Sequence, residues 1–107
     1  MVCLGNICRS PTAQGVLDKM IMDIRLDGRL EVDSAGTGNF HLSEPPDTRA
    51  IKAALARGYD LSRQRARQIN ASDYESFDFI LAMDKSNLSD LHERCPPHLR
   101  QKLGLFL

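Results

Sequence analysis

A chain of 107 residues with 42% hydrophobic and 26% charged content is sized and composed for one domain around a single modest core, neither disordered nor fibrous. Its 14 basic and 14 acidic residues cancel, which removes the long-range attraction that nucleic-acid or anionic-membrane binding needs, so an anionic ligand has to be held by local chemistry. No stretch approaches a membrane span, the first residues lack the apolar core of a secretory signal, and the cysteines Cys3, Cys8 and Cys95 match neither a zinc ribbon nor a disulfide framework, so free thiols in the cytoplasm are expected.

After Pro11, the residues Ala13, Val16, Leu17, Met20, Ile21 and Ile24 recur at helical spacing and predict one buried face of a helix to about residue 25, with Ser10 and Pro11 suited to its cap and first turn. Leu30 to Asp33 alternates like a short strand. Ser34-Ala35-Gly36-Thr37-Gly38-Asn39 then supplies turn-forming residues. Pro45 and Pro46 lead into a second helix carrying Ala50, Ile51, Ala54 and Leu55, which Gly58 is placed to stop. Phe77 to Ala82 reads as a mostly buried strand, Leu88 and Leu91 mark a third helix before Pro96 and Pro97, and Leu103, Leu105, Phe106 and Leu107 form a last apolar run. Strands alternating with helices predict an α/β fold with a parallel sheet, and the absence of repeats or linkers predicts a single domain over 1–107.

The chemistry concentrates in Cys3-Leu4-Gly5-Asn6-Ile7-Cys8-Arg9-Ser10-Pro11. A bare Cys-x5-Arg pattern is weak; its context is not. Gly5 and Asn6 tolerate left-handed backbone angles that turn successive N–H groups toward one point, and the helix that follows adds unpaired amides and the positive end of its dipole. The Arg9 fork matches two phosphate oxygens. The same field favours the thiolate of Cys3, to which the Ser10 hydroxyl can donate, so a dianionic phosphate is the expected ligand and attack by sulfur on phosphorus the expected reaction. Neither a metal nor a cofactor is required by that chemistry.

This run resembles the signature loop of the low-molecular-weight protein tyrosine phosphatases. Asp33-Ser34-Ala35-Gly36-Thr37, Glu44 to Ala50 and Phe77 to Asp84 agree with the family in order and spacing, so the resemblance covers essentially the whole chain. It implies a doubly wound, mostly parallel small sheet flanked by helices. It makes Cys3 the nucleophile, Arg9 the phosphate clamp, Ser10 the thiolate partner, and Leu4, Gly5, Asn6, Ile7, Cys8 and Arg9 the phosphate cradle. Asn6 and Ser34 hold the loop in shape, and Leu4, Phe40 and His41 line the pocket for the substrate's ring. It also implies a reversible disulfide between Cys3 and Cys8 under oxidation. The implied partners are a phosphotyrosine protein or peptide and oxyanions such as phosphate or vanadate, with no nucleic acid, no membrane insertion and a monomeric state.

Other readings stand beside these. Phe40 also reads as a loop residue tucked into the core, Cys8 as a packing residue, and Asp84 either as a support of the phosphate loop or as a cap of the next helix. Arg63, Arg65 and Arg67 read as a patch for an acidic partner or as a solvated surface with one or two structural ion pairs. His41, His92 and His98 show no metal or triad spacing. The family carries an Asp-Pro whose acid protonates the leaving group, and nothing after Met83 contains it. With two residues ahead of Cys3, the chain reads as truncated at both ends. Competing functions are a phosphate-binding regulatory module, an arsenate reductase or a protein arginine phosphatase; Ile7 and the supply of cysteines argue against the last two.

Overall fold

The computed structural model describes residues 1–26 and 28–106. Strand β1 (Val2–Cys3) leads through the Cys-x5-Arg loop into helix α1 (Arg9–Asp23), followed by β2 (Ala35–Gly36), α2 (Thr48–Ala56), α3 (Ala71–Ser76), β3 (Ile80–Ala82), α4 (Lys85–Arg94), a 3-10 helix (Pro97–Lys102) and β4 (Leu103–Leu105). The sheet order is β2-β1-β3-β4, all parallel. Val2 pairs with both Ala35 and Ala82, and Cys3 pairs with Gly36. The order therefore reverses at β1, and Cys3 ends that strand. In open parallel sheets, ligands bind beyond the strand C-termini at this switch point.

Alternation along β1 sorts its side chains between two layers. Val2 joins Ala35, Ile69, Tyr74, Ile80, Ala82, Leu91 and Cys95 in the main core, with Phe77, Leu88, Leu99 and Leu103 packed against it. Cys3 faces the other way, where its sulfur meets Ser10 at the start of α1. The expected α/β architecture is thus present, with helices on both faces.

Several boundaries differ from those expected. Leu30–Asp33 forms no strand; the pairing falls on Ala35–Gly36, inside the stretch expected to turn. Small residues are needed there, because a Cβ on Gly36 would lie 2.7 Å from the Leu4 carbonyl oxygen and 3.3 Å from the Asn6 nitrogen. Gly36→Ala is expected to destabilise the chain by about 1–3 kcal/mol, the usual cost of overpacking against backbone, measured by urea unfolding. A loss under a few tenths would mean that the loop retreats freely.

Helix α1 starts at Arg9 and ends at Asp23, with Met20 and Ile24 exposed rather than buried. Cys8 occupies the cap position, and Ser10 is not the cap, since its hydroxyl is directed at Cys3. The strand expected over Phe77–Ala82 is ordered as strand from Ile80, and Phe79 is 78% exposed. Helix α2 stops as expected: Gly58, at φ 89°, donates to the Leu55 carbonyl. Helix α3 was not anticipated, although Asn70 and Asp73 form a reciprocal capping box at its start. The terminal apolar run supplies β4; Leu107 lies outside the described residues.

Candidate active site

The loop from Cys3 to Arg9 is built around Asn6, which takes a left-handed φ of 57°; Gly5, expected to share that role, does not. Gly5 has a different constraint: a Cβ there would lie 3.1 Å from His41 Cδ2, so the imidazole sits directly over the loop. Asn6 is 2% exposed. Its Nδ2 donates to Ser10 Oγ at 2.9 Å and to Ser34 Oγ at 3.0 Å, while its Oδ1 accepts the Arg67 backbone N–H at 3.0 Å. Both hydroxyls are thus used as acceptors by one amide nitrogen. Ser34 passes its own hydrogen to Gln14 Oε1 at 2.5 Å. Ser10 is fully buried, and the partner left for its hydrogen is Cys3 Sγ at 3.0 Å. The Asn6 backbone N–H also points at that sulfur, at 3.3 Å. The buried sulfur thus has two polar partners, the Ser10 hydroxyl and the Asn6 N–H.

Asn6→Ala is expected to lower stability by about 3 kcal/mol, because it strands two buried hydroxyls and an amide and puts a Cβ-bearing residue without a polar side chain at positive φ. Asn6→Gly should recover about 1 kcal/mol of that loss by removing the backbone strain alone. Thermal unfolding of the pair checks both numbers; equal melting temperatures would show that φ contributes nothing.

Among the described residues, the backbone N–H groups of Gly5, Ile7 and Cys8 donate to no protein acceptor. Together with the first amides of α1 they form a set of free donors around the sulfur, the chemistry of an oxyanion cradle. The loop is tied at its far side by the Asp47 N–H, which donates to the Ile7 carbonyl at 2.6 Å, and by Thr12, whose hydroxyl donates to the Cys8 carbonyl at 2.7 Å.

Arg9 is half exposed and donates through Nη1 to Asp84 Oδ2 at 2.7 Å; among the described residues, Nε and Nη2 have no protein partner. Asp84 caps α4, its Oδ1 accepting the Asn87 N–H at 2.7 Å, while its Oδ2 holds Arg9. The Asn87 amide first, and the Arg9 hydrogen bond second, hold the Asp84 carboxyl below its ordinary value of 3.8. The hydrogen bond to Asp84 raises Arg9 above its already high value.

Leu4 and Phe40 are 52% and 70% exposed, and the His41 Nδ1 lies 3.0 Å from Glu44 Oε2. Phe40 is therefore at the surface and not in the core. Its ring lies beside Gly38, where a Cβ would come within 2.7 Å. Cys3 is buried and Cys8 exposed, both as free thiols. Of the arginine cluster, Arg67 is the structural member, paired with Asp33 and Asp73, while Arg63 and Arg65 are exposed. The sequence reading missed Gln14, Glu44 and the Arg67 amide; each acts through a partner distant in sequence or too common in type to stand out.

A family model described as low molecular weight phosphotyrosine protein phosphatase matches residues 1–106. The chain is 44% identical over 93 residues to the human low molecular weight phosphotyrosine protein phosphatase, covering 87% of this chain and 58% of that protein. It is 40% identical to the Schizosaccharomyces pombe protein of the same name over 106 residues, covering 98% of this chain and 67% of that one. A crystal structure of a protein tyrosine phosphatase from Entamoeba histolytica superposes with a TM-score of 0.92 at 42% identity, covering 95% of this chain and 65% of that one. The chain thus spans a little over half the length of several curated relatives it matches. Sequence, sheet order and structural likeness agree that the chain belongs to the low molecular weight phosphotyrosine protein phosphatase family.

Proposed function

We propose that residues 1–107 form one phosphatase domain that hydrolyses phosphotyrosine monoesters in proteins or peptides through a phosphocysteine intermediate. The observation that carries this reading is the Cys3 sulfur, buried at the C-terminal end of β1, accepting from Ser10 and from the Asn6 amide, with free N–H groups around it.

In the first step a Cys3 Sγ lone pair forms the S–P bond while the bond from phosphorus to the phenolic oxygen breaks. The loop amides and Arg9 hold the equatorial oxygens, where charge accumulates. The departing phenolate takes its proton from solvent water. In the second step water attacks phosphorus, the S–P bond breaks, and inorganic phosphate leaves. The thiolate then returns to its two donors. Asn6 and Ser34 act as the frame. Leu4, Phe40 and His41 flank the mouth and offer a flat, partly apolar approach for an aromatic ring. Cys8, exposed in the same loop, is the partner proposed for a reversible disulfide with Cys3, which predicts loss of activity with peroxide and recovery with thiol. Cytoplasmic residence and a monomeric state belong to the same proposal; no helix among the described residues is long and apolar enough to cross a membrane.

The test is steady-state and burst kinetics with p-nitrophenyl phosphate and a phosphotyrosine peptide, with phosphoserine and phosphoarginine peptides for contrast. The first substrate releases a stable anion and needs little help from an acid, whereas the peptide's phenolate needs a proton donor. The expected result is a burst of nitrophenolate and a label trapped on Cys3. Tight vanadate binding without any burst would make the loop a binding site and sink the catalytic reading.

A further inference from the structure

Beneath the phosphate loop, the polar network ends on an ion-pair cluster that the phosphatase reading leaves without a role. Asn6 Oδ1 accepts the Arg67 amide N–H, and that contact decides which end of the Asn6 side chain faces the two serines. With Nδ2 turned toward them, both hydroxyl oxygens are acceptors and Ser10 directs its hydrogen at Cys3. With the amide reversed, Ser10 would donate to Asn6 Oδ1 instead, and the sulfur would lose that hydrogen. The polarity of the network under Cys3 is therefore set at Arg67.

Arg67 is held on several sides. Its carbonyl accepts the Gly36 N–H at 2.7 Å. Its guanidinium donates from Nη1 to Asp73 Oδ2 at 2.8 Å and from Nε to Asp33 Oδ2 at 3.2 Å, with Nη2 also 3.2 Å from Asp33. Asp33 Oδ1 accepts the Ser34 N–H at 2.8 Å, so the carboxylate that grips Arg67 also places one of the hydroxyls Asn6 donates to. Asp73 Oδ2 accepts the Asn70 N–H as well, which anchors the bracket on the first turn of α3. Burial opposes the charge on Arg67; its hydrogen bond to Asp73 and the charges of Asp33 and Asp73 outweigh that and raise its pKa. Planar, two-sided recognition of this kind is what a guanidinium supplies and an ammonium does not.

We infer that Arg67 is a positioning residue of the reaction: clamped between Asp33 and Asp73, it orients the Asn6 amide so that Ser10 donates to Cys3. Its effect on turnover rests on the phosphatase reading, but its effect on the sulfur does not.

The experiment follows iodoacetamide alkylation of Cys3 at pH 6 and pH 9.5, resolved from Cys8 by fragment ions of the Met1–Arg9 peptide, in the parent chain, Arg67→Met, Arg67→Lys and Leu99→Ala. Leu99 packs against the core from the 3-10 helix and makes no hydrogen bond to this network, so its truncation supplies a loss of stability for comparison. Arg67→Met is expected to slow Cys3 alkylation about tenfold at pH 6 and leave the pH 9.5 rate unchanged, because the sulfur loses the hydrogen that Ser10 directs at it while access to it stays the same. Arg67→Lys, which can serve one carboxylate, should fall between the two and decides the matter if Arg67→Met does not fold. The inference is overturned if the Arg67 variants alkylate like the parent at both pH values, or if Leu99→Ala with a similar drop in melting temperature slows Cys3 equally. Slowed alkylation at pH 6 in a chain that never turns over p-nitrophenyl phosphate would uphold the positioning role and reject the phosphatase reading.

Discussion

Cys3→Ser is expected to lower kcat/KM for p-nitrophenyl phosphate by at least about 10⁴-fold while leaving oxyanion binding within a few-fold of the parent. A hydroxyl at this position meets the same neighbours, Ser10 and the Asn6 N–H, but its proton is held too tightly for those two donors to generate an anion near neutral pH. The cradle itself is untouched, since the free amides of Gly5, Ile7 and Cys8 and the Arg9 guanidinium do not depend on the sulfur. Turnover rates paired with vanadate or phosphate calorimetry separate the two effects. Residual turnover within tenfold of the parent would remove Cys3 from the chemistry, and loss of both properties would mean that the substitution had collapsed the loop.

The second large effect belongs to Arg9. Arg9→Ala should cost about 10²- to 10³-fold in kcat, roughly 3–4 kcal/mol of transition-state stabilisation, by removing the donors proposed to hold the equatorial oxygens. Arg9→Lys should recover only part of it, because an ammonium cannot reproduce the two-pronged grip. Neither change should unfold α4, since Asp84 keeps the Asn87 N–H after losing Arg9. Because the Asp84 carboxyl lies below its ordinary value of 3.8, the pair contributes fully above that pH and fades only as pH falls through the depressed value. The Arg9–Asp84 contact should therefore add no feature to a pH–rate profile between 5 and 8, and Asp84→Asn should alter kcat equally across that window. An acid limb near pH 6 that vanishes in Asp84→Asn would contradict this.

The Cys3–Arg9 loop was legible because everything it needs is local. Cysteine, a residue able to adopt positive φ, arginine, and a helix start all fall within nine positions, so backbone geometry and chemistry are written in one run. Asn6 was legible as a left-handed residue, yet its side-chain partners Ser34 and Arg67 lie 28 and 61 positions away, and Ser34 was placed only through family resemblance. Arg67 stood in a cluster with Arg63 and Arg65 that looks uniform in composition; burial between two carboxylates is what separates it from them.

Helix α4, helix α2 with its Gly58 stop, and the parallel α/β class followed from the period of the apolar residues and from turn chemistry, which act over a few neighbouring positions. The exact residues of the strands did not. Leu30–Asp33 alternates well but finds no ladder, whereas Ala35–Gly36 has poor strand propensity and pairs because Gly36 alone lets the chain pass beneath the Leu4 carbonyl. Similarly, Met20, Ile24 and Phe79 satisfy an apolar pattern and remain exposed, since burial depends on what lies opposite and not on the pattern alone. The sequence by itself determined the fold class and placed the cysteine, the left-handed residue and the arginine of the candidate site in one loop, because these depend on contacts within one turn of chain. Tertiary structure alone decided the polarity of the hydrogen bonds under Cys3, because the groups that orient Asn6 meet only when β1, β2 and the segment ahead of α3 are packed together.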